Sequence, residues 1–197
     1  MQGDKRQQIM QAAERLFTSR RLHEITLDDV ARLAKVGKGT IYSHFQDKDD
    51  LFFQTATRGF DELCDLLGRH VREDSPFALQ LTEACRQISG FFQHRRQLLR
   101  MMQVEDGRMQ WCPAGVRQRW SQRRKNLVAA MSAILAKGIA EGAIVDDLPP
   151  AVLAALLLGL LRTRARDLSD ELPGEEGLKR IVEFFTHGAS GRLRIDL

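Results

Sequence analysis

Lys38, Thr40, Tyr42, Ser43 and His44 set an ammonium, two hydroxyls, a phenol and an imidazole within seven residues, with no carboxylate among them. A solvated helix face is usually built from Glu and Lys, whereas this set suits phosphate oxygens and base edges. Ile41 and Phe45, four apart, supply a buried pair, so a helix is predicted over Lys38 to Phe45 with the polar set outward. The preceding element reads as clearly. Thr26 stands before an apolar-periodic run with Asp29 three residues on, the spacing of a capping box. Val30, Ala31 and Ala34 then recur at helical steps, and Lys35-Val36-Gly37 breaks the period. Asp47 and Asp50 repeat the capping arrangement at the start of a third helix, with Lys48 at its amino end, where free amides favour a phosphate. Two short helices joined by a tight turn and followed by a third make a helix-turn-helix DNA reader.

These residues also carry a family resemblance. Leu16-Phe17, Ile25-Thr26, Val30-Ala31, Gly39-Thr40-Ile41-Tyr42-Ser43-His44-Phe45 and Lys48-Asp49-Asp50-Leu51-Phe52 closely resemble the amino-terminal domain of the tetracycline-repressor (TetR) family, over about the first quarter of the chain. The resemblance implies that Lys38, Thr40 and Ser43, with Gly39 among them, address base edges in the major groove, and that Thr26, Tyr42, His44 and Lys48 hold phosphates. Arg21 and Lys35 depart from the pattern, standing where glycines commonly end the first helix and make the turn. A left-handed backbone there would cost a non-glycine residue about 1–2 kcal/mol.

The remainder alternates helical patterns with Pro and Gly breakers: about 47–71, 76–92, 94–103, 113–140, 149–168 and 175–187. No β alternation occurs. The fold class predicted is all-α, with a three-helix DNA-binding domain at 1–50 and a larger effector-binding and dimerisation domain at 51–197. Ala151 to Leu161 is apolar all the way round and must be covered on every side. The last helix offers a matching set, so Leu153, Leu156, Leu157 and Leu160 with Leu178, Ile181, Val182 and Phe185 are expected to form a homodimer interface. Glu141 to Ile144, Asp147 to Pro149 and the Leu-rich helix resemble the dimerising region of many TetR-family members, more loosely than the first match. Two reading helices in a dimer would address a palindromic site.

Charge is distributed against intuition. Residues 1–50 hold nine Lys/Arg against eight Asp/Glu, whereas residues 95–125 hold nine basic residues against Glu105 and Asp106, a net of +7 in a chain of +4. Arg119 and Arg123, beside Phe91, Phe92, Met101, Met102, Trp111 and Trp120, are candidates to frame a pocket for an anionic amphipathic effector such as a fatty-acid or acyl-thioester derivative. A solvated face over ordinary core aromatics is the plainer reading of the same residues.

Other chemistries find little support. Gly37-Lys38-Gly39-Thr40 lacks the first glycine and the Lys-Ser/Thr pair of a phosphate loop, and neither H-E-x-x-H nor G-x-S-x-G occurs. Cys64, Cys85 and Cys112 are odd in number and widely spaced, which suggests neither a disulfide framework nor a metal site, although Cys112 lies in an expected loop that could expose a reactive thiol. No cofactor, metal or catalytic residue is expected. With no signal peptide at the amino end and no apolar run near the ~20 residues of a membrane span, the chain is expected to be cytoplasmic. It reads as a ligand-responsive regulator, most simply a repressor that a small molecule releases from double-stranded operator DNA. An activator or co-repressed regulator would share every motif, and a DNA-organising protein would lack the effector.

Overall fold

The computed structural model describes residues 2–20, 22–95, 114–144 and 147–188. Among them are eight α-helices and no strand: α1 Gln2–Ser19, α2 Leu27–Ala34, α3 Lys38–Tyr42, α4 Lys48–His70, α5 Phe77–His94, α6 Ala114–Ala140, α7 Pro150–Asp167 and α8 Gly174–Gly188. A short 3-10 turn, Leu22–Glu24, precedes α2. The all-α reading holds. The expected helices at 94–103 and the residue Arg21 lie largely or wholly outside the described residues, as do Met101, Met102, Trp111 and Cys112.

The helices divide into two compact units, one of residues 1–59 with 97–123, the other of 60–96 with 124–197. In the first unit, Ile9 and Ala13 of α1, Val30 of α2, Ile41 and Leu51 are shut off from solvent and form a shared core. Phe17 meets Phe52 edge to face at 4.8 Å between ring centroids, which locks α1 to the start of α4. Helix α2 begins as the spacing predicts: the Thr26 hydroxyl accepts the Asp29 N–H and the Thr26 N–H donates to the Asp29 carboxylate. It ends at Lys35, whose φ of 52° is left-handed. There the Val36 N–H reaches back to the Ala31 carbonyl at 3.0 Å, closing the turn that aims α3. Helix α3 is shorter than expected. Regular helix stops at Tyr42, where the His44 N–H folds back to the Ile41 carbonyl, although Ile41 and Phe45 are both buried as the spacing requires.

The second unit is built on the stripe Phe77, Leu81, Cys85, Ile88 and Phe92 of α5, packed with Leu127, Met131 and Leu135 of α6 and the inner sides of α7 and α8. Its most unusual member is Arg164, only 2% exposed. The guanidinium donates to the Leu172 and Gly174 carbonyls and to the Ser89 hydroxyl, so one side chain pins the α7–α8 connection against α5. The connection is tight: a Cβ on Gly177 would lie 2.1 Å from the Leu172 carbonyl oxygen, a space only glycine leaves.

The strain at Lys35 is removable. Lys35→Gly should raise unfolding stability by about 1 kcal/mol, after the extra entropy of the glycine-bearing unfolded chain is deducted. Urea denaturation followed by circular dichroism reads this directly, and an unchanged or lower midpoint would show that the turn is not strained by its side chain.

Candidate nucleic-acid interface

The residues nominated from the sequence are exposed or half-buried, and the structure adds what holds four of them. Tyr42 is 53% exposed and His44 and Thr40 are half-buried, over the sealed Ile41 and Phe45. The Thr26 hydroxyl donates to Asp29 Oδ2 at 2.7 Å, so the capping group is fixed in place. Ser43 Oγ donates to the Thr40 carbonyl at 2.8 Å. Lys48 Nζ donates to the Ile25 carbonyl at 3.0 Å, placing an ammonium at the amino end of α4 beside the α2 cap. Lys38 Nζ sits 3.0 Å from the Asp28 carboxylate. Asp28, exposed near the start of α2, is therefore a neighbour of the nominated Lys38. The Asp28 hydrogen bond and charge raise the Lys38 ammonium above its ordinary range, so Lys38 remains a cation.

The start of α4 is built around Asp50. Its N–H donates to Asp47 Oδ1 at 2.7 Å, the expected cap. The reciprocal bond falls one residue earlier than the box pattern implies: Asp50 Oδ2 accepts the Gln46 N–H at 3.1 Å and the Gln54 side-chain amide at 2.8 Å. Arg6 of α1 donates to Gln54, and its guanidinium lies over the Phe45 ring at 5.6 Å. Arg119 of α6 completes the group, 3.6 Å from Asp50 Oδ1.

Arg119 and Arg123, nominated for an effector, line a cavity of about 200 Å³ together with Phe53, Gln54 and Thr57 of α4. Arg123 donates to the Thr57 hydroxyl at 2.7 Å. The three α4 residues were not nominated, since nothing local marks them as facing arginines more than sixty positions away. Trp120 is buried in the first unit and Phe91 and Phe92 in the second. The second unit has its own open groove of about 880 Å³, walled by Cys64, Leu67, Gln80, Ile134 and Lys137 among others. Burial pushes the Cys85 thiol up to about 12 and, with Asp61 and Asp65, raises Cys64 as well, so neither is a thiolate at neutral pH.

A further face lies on the last two helices. Leu153, Leu157, Leu178, Ile181 and Phe185 of the expected interface are buried within the protomer, with little surface left for a partner. Leu160 and Val182 are half-buried, Leu156 is exposed, and Val152 and Phe184 join it as exposed large apolar residues. Periodicity could not find this division, because a helix apolar all round does not say which side turns inward.

The comparisons with known proteins converge on this fold and interface. The model of the bacterial regulatory proteins of the tetR family matches residues 9–55, the span that contains α2, α3 and the start of α4. That stretch, about a quarter of the chain, is similar to the TetR family. Relatives match well beyond it. The HTH-type transcriptional regulator YhgD of Bacillus subtilis is 28% identical over 146 residues, 73% of this chain and 74% of the relative. The HTH-type transcriptional repressor BepR of Brucella suis is 26% identical over 91% of this chain and 86% of its own. Among solved structures, the regulator FadR of Bacillus subtilis, crystallised with stearoyl-CoA, superposes with a TM-score of 0.77 at 18% identity, covering 92% of this chain and 98% of that one. It shares the TetR fold. Among the described residues no helix is long and apolar enough to cross a membrane.

The α2 cap titrates. Hydrogen bonds from the Thr26 hydroxyl and N–H hold the Asp29 carboxyl below its ordinary range. A depressed folded value means that the stabilisation is present above the unfolded carboxylate value, about pH 4, and is lost as pH falls through the folded value. Asp29→Asn should therefore destabilise the protein at neutral pH and cost progressively less as pH falls below about 4. Urea midpoints of both proteins across that range test it, and a gap that did not narrow in acid would remove the carboxylate from the cap.

Proposed function

We propose that this chain is a homodimeric repressor that binds a palindromic operator and leaves it when a small-molecule effector binds. The observation that carries the reading is the outward face of α3, where Lys38, Gly39, Thr40, Tyr42 and Ser43 stand over the buried Ile41 and Phe45. In this reading residues 1–50 are the DNA-binding domain and 51–197 the effector-binding and dimerisation domain. Lys38, Thr40 and Ser43 meet base edges; Thr26, Tyr42, His44 and Lys48 meet phosphates. The dimer forms across the outer side of α7 and α8, through Val152, Leu156 and Phe184 with Leu160 and Val182, where exposed apolar surface gains most from a partner.

The effector is an anionic amphipathic molecule whose charged end reaches Arg119 and Arg123. The two arginines at one cavity support this, as does the stearoyl-CoA bound to the FadR neighbour. Occupation of that cavity would act on Arg119, and through its Asp50 pair on the Gln46 amide that follows the reading helix. The coupling is reciprocal, so operator DNA lowers effector affinity by the same factor.

Two experiments test the reading. Selection of a preferred duplex from a random pool provides the operator. Lys38→Ala or Tyr42→Ala should then abolish selective binding while sedimentation still shows a dimer, and retained selectivity in both would mean that α3 does not read DNA. For the effector, an acyl-CoA titrated against the protein–operator complex should release the duplex. Arg119→Ala and Arg123→Ala should each weaken acyl-CoA binding about tenfold, as expected for a charge-assisted hydrogen bond. Intact affinity in both variants would detach the arginines from the ligand.

A further inference from the structure

On the proposed reading face Lys38 is a cation held by a carboxylate, and both partners of that pair are about half exposed. Asp28 is the second residue of α2 and Lys38 the first of α3, so the pair bridges the turn between the two helices. A phosphate approaching Lys38 meets Asp28 at the same time and is repelled. The pair is thus a poor phosphate clamp, in a domain whose net charge over residues 1–50 is already only +1.

It is a good match for something else. Across the major-groove edge of a G·C pair, the guanine O6 acceptor and the cytosine N4 donor are themselves hydrogen-bonded and lie about 3 Å apart. Lys38 Nζ and the Asp28 carboxylate present the complementary order, donor then acceptor, at 3.0 Å. The two can engage one base pair side by side without the ion pair breaking. A T·A pair in the same orientation offers thymine O4 and adenine N6 in that order as well, whereas C·G and A·T reverse it, so the Lys38–Asp28 pair reads the orientation of the base pair.

We propose that Asp28 is a specificity-determining residue: with Lys38 it forms a two-residue reader of one base pair in each half-site, taking G·C or T·A over C·G or A·T, and it withholds Lys38 from the phosphates of unselected DNA. This rests on α3 being the DNA-facing element, so its test includes a duplex that the unmodified chain selects for itself. The full-length protein, Asp28→Asn, Asp28→Ala and Lys38→Ala are each carried through selection from a random duplex pool. Affinity for unselected duplex is then measured over a salt series.

The unmodified chain should enrich G·C or T·A over C·G and A·T at one position per half-site. Asp28→Ala should lose that preference by about tenfold, the scale of one good base contact. Asp28→Asn, which keeps the shape and removes the charge, should bind unselected duplex several-fold more tightly, with a salt slope steeper by about 0.9 per reading helix as Lys38 becomes free to neutralise a phosphate. Adding Lys38→Ala to Asp28→Ala should cost little further preference, the non-additivity of a shared contact. Circular dichroism confirms that each variant is folded. If both Asp28 variants select the same duplex and bind unselected DNA as before, this inference falls alone. If the unmodified chain selects no duplex, it falls together with the proposed function.

Discussion

A buried carboxylate governs the first unit. Asp50, 8% exposed, would be costly to leave unpaired, and every group around it answers that demand: the Gln46 N–H, the Gln54 amide and the Arg119 guanidinium. Because those groups come from different elements, satisfying one charge fixes several positions at once. Gln46 follows α3, Gln54 hands the chain of hydrogen bonds on to Arg6 of α1, and Arg119 brings in α6. Helix α3 spans only five residues, far too few to be stable alone. Its direction is set by what lies at its two ends, the left-handed turn at Lys35 before it and the Asp50 group after it.

The local part of this arrangement was legible in the sequence. Capping follows from residue type at fixed spacing, so Thr26 with Asp29 and Asp47 with Asp50 announced their helices, and the buried pair Ile41 and Phe45 announced which way α3 faces. Lys35 was visible as a departure, and its φ of 52° shows that the turn keeps the glycine-like backbone without the glycine. What escaped was long-range. Asp28 and Lys38 are ten residues apart with a turn between them, and no periodicity relates them. The meeting of Arg119 and Arg123 with Gln54 and Thr57 depends on how distant helices pack. In α7, apolar residues on all sides left the choice of inner face to the packing, which took Leu153 and Leu157 inward and left Val152 and Leu156 out.

The candidate interface is also preorganised. Thr26, Lys38, Ser43 and Lys48 each rest on a partner inside the protein, so little side-chain freedom remains to be lost on binding. A domain of low net charge gains little from the bulk attraction of the DNA backbone. Ordered groups offset that weakness, since they favour a site whose acceptors and donors fall where the side chains already are.

The second unit is fastened by a different kind of bond. The oxygens that accept hydrogen bonds from Arg164 belong to two peptide carbonyls and a serine hydroxyl. None of these takes up a proton in the range where carboxylates do, and a buried contact of this kind is little screened by dissolved ions. The α2 cap hangs on Asp29, a carboxylate that hydrogen bonds hold below its ordinary range and that acid in the end neutralises. The α7–α8 junction is therefore indifferent to the acidity that loosens the cap at the other end of the chain.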